Sequence, residues 1–244
     1  MLMKTKIIGH RGGAKGFPEN TLAAFKKAVE LGADGVEFDV QLTKDKEVVV
    51  IHDELIDRTM SGSGLVKDHT LKELRQMSAG EFFSPDFKSE KIPTLAEVLE
   101  VVQDLEVINI ELKNYLPYPE LEEKVLKLVD QFEIRDQVII SSFNHYSLQK
   151  VKKLQPEIRT GALLMAKIIN PSDYAFKRGF NALHLHFLTA DQEIIDKSHF
   201  MGMQVNVYTV NFPESVIELL EKEVDMIMTD DLEMALELRD EKQE

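Results

Sequence analysis

The chain has 244 residues, and 29 lysines and arginines against 43 aspartates and glutamates give it a net charge of −14. This balance excludes non-specific binding to nucleic acid or to an anionic membrane, because both need a basic surface. The absence of cysteine excludes disulfides, thiolate metal sites and cysteine nucleophiles. No apolar run approaches the roughly 20 residues of a membrane span, and a strand-like run begins at Lys6, which leaves no room for a signal peptide. We therefore expect a cytoplasmic protein with no stable membrane anchor.

Eight strand-like runs alternate with helical patterns along the chain. The predicted strands are Lys6–Gly9, Gly35–Gln41, Val107–Leu112, Gln137–Ser141, Arg159–Leu164, Ala182–His186, Gln204–Tyr208 and Asp225–Thr229. The predicted helices include Thr21–Leu31, Leu95–Val102, Glu120–Phe132, Tyr146–Leu154 and Ser215–Glu221, with a last helix from Leu232 to Glu244.

This alternation predicts a parallel sheet, and eight strand-plus-helix units favour closure into an α/β (β/α)₈ TIM barrel. The alternative is an open doubly wound sheet that binds a dinucleotide. It is disfavoured because no Gly-x-Gly-x-x-Gly motif follows the first strand. We therefore predict a single barrel domain over residues 1–244.

One connection, from Glu54 to Pro93, breaks the alternation. It holds a turn-rich stretch, Met60–Gly64, and a short helical pattern, Leu71–Met77. A structureless loop of this length is uncommon inside a compact domain. We therefore expect residues 54–93 to fold as a small insertion subdomain that acts as a lid.

Acidic residues alternate with apolar residues on two predicted strands. Glu37 and Asp39 share one face of the second predicted strand, which the alternation directs toward the interior. By the same alternation Glu111 points inward from the third predicted strand. Three unpaired carboxylates inside a barrel are costly, so we expect a cation to neutralise them. An all-oxygen donor set suits Mg²⁺ or Ca²⁺. The alternative for any one acid is an ion pair with lysine or arginine, or a place at a hydrated loop mouth.

Two histidines follow strand-like runs. His10 ends the first strand, and His52 follows Val48–Ile51. Two imidazoles can share general base and general acid work, because they titrate near neutral pH. Arg11 offers a planar fork of donors and Lys113 a point charge, and both suit a phosphate. Together with a metal they predict a positive pocket that stabilises a phosphoryl transition state.

Three polar residues lie close to these candidates in the sequence. Glu19 and Asn20 belong to Pro18–Thr21, which is at least a helix start with Asn20 or Thr21 as its N-cap. Asp53 directly follows His52. We expect Glu19, Asn20 and Asp53 to support the site from behind the reacting groups, with capping alone as the alternative for Glu19 and Asn20.

Three further candidates lie at other predicted strand ends. His186 is a candidate for contact with substrate hydroxyls, and the alternative is a hydrogen-bonded interior layer. Phe143 and Tyr208 are candidates for the wall of an apolar part of the cleft, although aromatic residues in such places often only pack. All three are therefore predicted to bind substrate.

A series of short motifs runs through the chain in a fixed order. They are His10–Gly13, Pro18–Thr21, Glu37–Val40, His52–Asp53, Asp57–Thr59 with Gly62 and Gly64, Ile92–Leu95, Glu111–Lys113, Ser142–Phe143, Val205–Asn211 and Thr229–Asp230. Over essentially the whole chain this series resembles the signature of the glycerophosphodiester phosphodiesterases. The resemblance implies a TIM barrel with a small insertion after the second strand, in agreement with the strand count.

The resemblance also implies the roles of the site residues. Glu37, Asp39 and Glu111 would be metal ligands, His10 and His52 the acid/base pair, and Arg11 and Lys113 the phosphate-binding residues. The implied reaction is metal-dependent hydrolysis of a small glycerophosphodiester to glycerol 3-phosphate and an alcohol. Two positions depart from the family pattern. Tyr208 stands where Trp is more common, and Asp231 follows Asp230 where Arg-Pro is common.

Two other functions stay open. A phosphodiesterase that acts on intact phospholipid would use the same groups, and it predicts an exposed apolar rim for which Phe82, Phe83 and Phe87 are candidates. A non-catalytic protein that binds a phosphate ligand is disfavoured, because the set of acids and histidines is complete. The sequence does not decide between Mg²⁺ and Ca²⁺, which alcohol leaves, whether a cyclic phosphate forms, or the oligomeric state.

Overall fold

A computed structural model describes residues 4–13, 15–114 and 118–242. Its strands are β1 (Lys6–His10), β2 (Gly35–Leu42), β3 (Val48–Val50), β4 (Val107–Leu112), β5 (Val138–Ser142), β6 (Arg159–Leu164), β7 (Ala182–His186), β8 (Gln204–Tyr208) and β9 (Met226–Thr229). Its helices are α1 (Leu22–Glu30), α2 (Leu71–Leu74), α3 (Leu95–Val102), α4 (Leu121–Gln131), α5 (His145–Leu154), α6 (Pro171–Phe176), α7 (Gln192–Phe200), α8 (Pro213–Glu221) and α9 (Leu232–Glu241). The last two residues of the predicted final helix, Gln243 and Glu244, lie outside the described residues.

Eight parallel strands form a closed ring. Their order is β1, β9, β8, β7, β6, β5, β4 and β2, and β1 pairs with β2 to complete the barrel. The prediction of a (β/α)₈ TIM barrel is confirmed. In this register Asp39 of β2 lies opposite Glu111 of β4, and His10 of β1 lies opposite Glu37 of β2. The barrel thus brings distant parts of the chain together at the carboxyl ends of its strands.

The helices begin where the sequence supplies caps. The Thr21 side chain accepts a hydrogen bond from the Ala24 amide at the start of α1, and Thr94 forms a capping box with Glu97 at the start of α3. Apolar faces of the helices pack on the outside of the barrel. In the described part of the chain, no helix has both the length and the apolar character that a membrane span needs.

The barrel interior is divided into layers. Near the amino ends of the strands lies an apolar cluster, here called the barrel floor, formed by Ile8, Val107, Ile139, Met226 and Met228. Above it lie buried polar side chains from four strands: Asn109, Ser141, His184 and Asn206. A Cβ atom at position 161 would lie 2.2 Å from His184 Nε2, so Gly161 leaves room for the imidazole ring.

The connection between β2 and α3 begins with a hairpin. β3 pairs antiparallel with β2. At the far end of the connection the chain contacts β3 again: the Val50 amide donates to the Pro93 carbonyl over 2.9 Å, and Val49 forms a β-bridge with Thr94. Between these two points lie 3₁₀ turns and α2. They pack around an apolar cluster of Val49, Ile51, Ile56, Met60, Val66, Leu74, Ala79 and Ile92. The helix predicted over Leu71–Met77 is shorter in the structure.

Candidate active site

Three buried carboxylates meet at the carboxyl end of the barrel. Glu37 and Asp39 face the interior from β2, and Glu111 faces it from β4. One oxygen from each side chain lies within 4.8 Å of those of the other two. The structure therefore brings together the three acids that the sequence selects. Below we call Glu37, Asp39 and Glu111 the acid triad.

The acid triad is electrostatically strained. Burial, followed by repulsion from Asp39, raises the pKa of Glu37 well above its usual value and that of Glu111 to about 7. For Asp39 burial also opposes ionisation, but Lys113, His52 and Arg11 outweigh it and hold its pKa below the usual value. Carboxylates that repel one another in a buried site form a donor set that suits a hard divalent cation.

Lys113 lies within this set of charges. Its Nζ atom donates to Glu111 Oε1 over 2.8 Å and lies 3.6 Å from Asp39 Oδ1. The same atom lies 3.1 Å from His52 Nε2. Lys113 thus connects the acid triad to one of the two predicted catalytic histidines.

Arg11 is held by the tight turn that follows β1. Its φ angle of 54° is in the left-handed region, and its amide donates to Glu37 Oε2 over 3.1 Å. Two positions further on, a Cβ atom on Gly13 would lie 2.3 Å from Gly9 Cα, so only glycine fits. The Arg11 guanidinium donates to Glu19 over 2.9 Å. Burial lowers the pKa of Arg11, but Asp39, Glu19 and Glu37 outweigh this and raise it, so the side chain stays charged.

His10 contacts an acid that follows the last strand. Its Nδ1 atom lies 2.7 Å from Asp230 Oδ1, and its Nε2 atom lies 3.9 Å from Glu37 Oε2. Asn211, which follows β8, donates to Asp230 Oδ2 over 2.6 Å and accepts from the Asp230 amide. Asp230 and Asn211 therefore orient His10 beside the acid triad.

His52 is oriented from two sides. Its Nδ1 atom lies 2.5 Å from Asp53 Oδ1. Behind it the buried Gln41 amide donates to the carbonyls of Ile51, His52 and Asp53 at 3.1, 3.1 and 2.8 Å, while Gln41 Oε1 accepts from the Tyr118 hydroxyl. Burial lowers the pKa of His52 despite the attraction of Asp39, which favours the neutral imidazole.

The other predicted residues also gather here. Asn20 donates to Asp39 Oδ2 over 3.0 Å, and Glu19 contacts Arg11. At the ends of β5, β7 and β8, Phe143 and Tyr208 meet edge to face with centroids 6.1 Å apart, and His186 lies 6.2 Å from the Tyr208 ring. His186, Phe143 and Tyr208 therefore form one aromatic wall.

Sequence reasoning did not select four residues that contact the site. They are Gln41, Arg58, Asn211 and Asp230. Gln41 continues the inward alternation of β2, and Asp230 directly follows β9, so period and strand-end position were available signals. Arg58 lies in the insertion, where neither signal applies.

The fold and the site define the class of the protein: a TIM-barrel enzyme whose chemistry lies at the carboxyl ends of the strands. Residues 10–234 match the model of the Glycerophosphoryl diester phosphodiesterase family. The chain therefore belongs to this family and is a phosphoric diester hydrolase.

Similar proteins agree with this assignment. A glycerophosphodiester phosphodiesterase of Caldanaerobacter subterraneus is 44% identical over 238 residues, which cover 97% of this chain and 98% of the relative. The solved structure of an Oleispira antarctica phosphodiesterase in complex with the product sn-glycerol-3-phosphate is 30% identical, with a TM-score of 0.89 and 97% of each chain covered. A glycerophosphodiester phosphodiesterase from Thermotoga maritima is 32% identical, with a TM-score of 0.77, and the match covers 96% of this chain and 98% of that one.

Proposed function

We propose that this enzyme hydrolyses small glycerophosphodiesters to sn-glycerol 3-phosphate and an alcohol and that it depends on a divalent metal. The observation that carries the proposal is that the acid triad, two histidines and Arg11 meet at one barrel mouth. The Oleispira antarctica structure, which holds sn-glycerol-3-phosphate, supports the choice of product.

Glu37, Asp39 and Glu111 would hold the ion, either Mg²⁺ or Ca²⁺. When bound, the ion would neutralise charge that develops on the phosphoryl oxygens. The raised pKa values of Glu37 and Glu111 support this role, because burial and then repulsion from Asp39 make their ionised forms costly and a bound cation would offset that cost.

Arg11 and Lys113 would bind the non-bridging oxygens of the phosphodiester. Lys113 is buried and Arg11 is partly buried beside the acid triad, and Arg11 presents the planar fork that matches two phosphate oxygens. Glu19 and Asn20 would support them by fixing Arg11 and Asp39.

His10 and His52 would divide the proton transfers. One takes a proton from the nucleophile, either water or the neighbouring hydroxyl of the glycerol, and the other gives a proton to the leaving alkoxide. Each histidine has Nδ1 engaged by a carboxylate, Asp230 for His10 and Asp53 for His52, so the proton transfers would use Nε2. This atom lies on the side of the acid triad in both residues, 3.9 Å from Glu37 Oε2 in His10 and 3.1 Å from Lys113 Nζ in His52.

The aromatic wall of His186, Phe143 and Tyr208 would contact the glycerol or alcohol part of the substrate.

We also infer that residues 54–93 act as a small insertion subdomain within the single barrel domain. The apolar cluster that this segment builds supports the inference.

A product assay tests the proposal. The wild-type protein is incubated with a panel of glycerophosphodiesters that differ in their alcohol, with a chelator present and then with Mg²⁺ or Ca²⁺ restored. We expect glycerol 3-phosphate only when a divalent ion is present. Unchanged turnover in excess chelator would contradict metal dependence, and no product under any condition would favour a non-catalytic protein that binds a phosphate ligand.

A second candidate, action on intact phospholipid, is favoured by exposed apolar side chains on the catalytic face. Phe82 and Phe83 of the insertion are exposed, as are Ile169, Leu188 and Phe212 on loops that follow strands. Co-sedimentation with phosphatidylcholine vesicles, together with head-group release from them, tests this candidate. A protein that stays in the supernatant and releases only soluble glycerophosphodiester products would dismiss it.

A further inference from the structure

The insertion contributes a charged side chain to the active site. Arg58 ends the 3₁₀ turn Ile56–Arg58, a few residues after His52 and Asp53, and its side chain is 45% exposed. Its guanidinium makes three hydrogen bonds to two carboxylates. Nη1 and Nη2 donate to the two oxygens of Glu19 at 2.6 and 2.9 Å, and Nε donates to Asp53 Oδ2 over 2.6 Å.

Each of these carboxylates has a second partner in the site. Glu19 also accepts from Arg11, and the other oxygen of Asp53 contacts His52 Nδ1. Arg58 is therefore the central link of an unbroken chain of hydrogen bonds from Arg11 to His52. Below we call Arg11, Glu19, Arg58, Asp53 and His52 the linked chain.

The hydrogen bonds of the linked chain determine which ring nitrogen of His52 carries a proton. The hydrogen bond from Arg58 is the main reason that the pKa of Asp53 falls to about 2, so this carboxylate only accepts hydrogen bonds at working pH. The short contact with His52 then requires a proton on Nδ1. Nε2, which lies 3.1 Å from Lys113 Nζ, is then the ring nitrogen that exchanges protons.

Arg58 also affects the phosphate side of the site. Glu19 alone would hold Arg11 and repel an anionic substrate. The bidentate bond from Arg58 neutralises Glu19, so Arg11 keeps its charge available for a phosphodiester.

We propose that Arg58 is a positioning residue that fixes the orientation of His52 through Asp53. The insertion then contributes a working residue to the active site. This inference rests on the proposed function, in which His52 transfers a proton. Arg58 itself makes no contact with the reacting atoms in this scheme.

Steady-state kinetics of Arg58→Gln, Arg58→Lys, Asp53→Asn and the double variant Arg58→Gln with Asp53→Asn test the inference on glycerophosphocholine. We expect kcat of Arg58→Gln to fall roughly 10- to 100-fold, because the orientation of His52 is lost. KM should rise only about two- to threefold, because Arg11 and Lys113 remain and only the charge of Glu19 beside Arg11 is left uncompensated. Arg58→Lys keeps the charge but cannot bond both carboxylates, so its kcat also falls. In the Asp53→Asn background the Arg58→Gln change should add less than about threefold, because both changes break one link.

Arg75→Gln is the matched control. Arg75 lies in the same insertion and bonds Glu97 outside the linked chain, so its loss should leave kcat and KM unchanged. Melting temperatures of Arg58→Gln and Arg75→Gln should fall by similar amounts, which separates positioning from general destabilisation.

Three kinetic results would overturn the inference. They are a kcat for Arg58→Gln within twofold of wild type, a loss confined to KM, and losses from Arg58→Gln and Asp53→Asn that multiply fully. A wild-type enzyme that hydrolyses no glycerophosphodiester would instead count against the proposed function. The ¹⁵N shifts of the His52 ring test the inference without turnover. They should report one ring environment in the wild type and shifted or broadened signals in Arg58→Gln, because Asp53 is then held less firmly, and unchanged signals in the variant would contradict the proposal.

Discussion

The barrel floor and the acid triad lie in the same barrel interior and share strand β4, yet they have opposite effects on stability. On β4 the floor residue Val107 and the acid Glu111 face inward four positions apart. The floor buries apolar surface, and each fully buried side chain of this kind stabilises the fold by about 1.5–3 kcal/mol. The acid triad buries charge, which opposes folding until a cation is bound.

The difference teaches that stability and chemistry are separated along the length of each strand. A substitution in the floor should change the free energy of unfolding and leave turnover intact. A substitution at the mouth should do the reverse, or even stabilise the metal-free protein. Four predictions test this separation.

The largest effect is expected from the histidines. His10→Ala and His52→Ala should each lower kcat by roughly 10²- to 10⁴-fold, because each removes a proton-transfer group. The metal-induced rise in melting temperature should remain, since the acid triad is intact. His199→Ala is the control, because this residue only pairs with Asp225 away from the site. Near-normal turnover in either active-site variant would refute the proposed roles.

The next effect is on stability. Ile139→Ala in the barrel floor should reduce the free energy of unfolding by about 2–5 kcal/mol, because it removes a buried side chain and leaves a cavity. Urea denaturation measures this loss. Under conditions where the variant is folded, kcat and metal affinity should match the wild type. A tenfold fall in kcat of the folded variant would show that the two regions are not independent.

A smaller effect of opposite sign is expected for Glu111→Gln. Without metal, at pH 8, this variant should melt several degrees above the wild type, because it removes one of the mutually repelling buried charges. It should also lose the rise in melting temperature that Mg²⁺ or Ca²⁺ causes in the wild type. A metal-free Glu111→Gln protein that melts below the wild type would contradict the view that the acid triad costs stability.

The smallest effect is the pH dependence of the metal-free protein. The folded pKa of Glu111, about 7, lies above the usual 4.5, so between these values the folded state holds a proton that the unfolded state has released. This stabilising contribution is complete below pH 4.5 and is lost as the pH rises through 7, with a slope of at most about 1.4 kcal/mol per pH unit for one proton. Urea denaturation from pH 5 to 8 measures this slope.

Metal should counteract this loss. Because binding displaces the proton, the metal-induced rise in melting temperature should grow across the same pH range. Glu111→Gln serves as the control and should flatten the trend. A metal effect that shrinks with rising pH would contradict the assignment.

The fold was predictable because the alternation of strand-like and helical patterns can be recognised in short stretches of the sequence. The strand predicted over Gln137–Ser141 is Val138–Ser142 in the structure, and that over Asp225–Thr229 is Met226–Thr229, a shift of one residue at most. Helices α6 and α7 were not predicted. α6 is only six residues long, and the few apolar residues of α7 do not define a clear apolar face at helical spacing.

The site was predictable where a residue's own strand position reveals its direction. Glu37, Asp39 and Glu111 follow from the two-residue period, and the structure brings them together. Asp53, the partner of His52, was also selected, because it directly follows that residue. The long-range partners were not predictable. His10 contacts Asp230 across 220 positions, and Arg58 contacts Glu19 across 39, so these pairs exist only once the ring of strands is closed.

The two ends of the insertion are held together at its base, because the Val50 amide donates to the Pro93 carbonyl and Val49 forms a β-bridge with Thr94. The segment between Val50 and Pro93 can therefore be lengthened, shortened or exchanged without moving the barrel strands that carry it. Such an exchange is constrained by function at the beginning of the segment, where a donor segment must reproduce His52, Asp53 and Arg58. At its end the constraint is one of packing, because Ile92 lies in the apolar cluster with Val49 and Ile51.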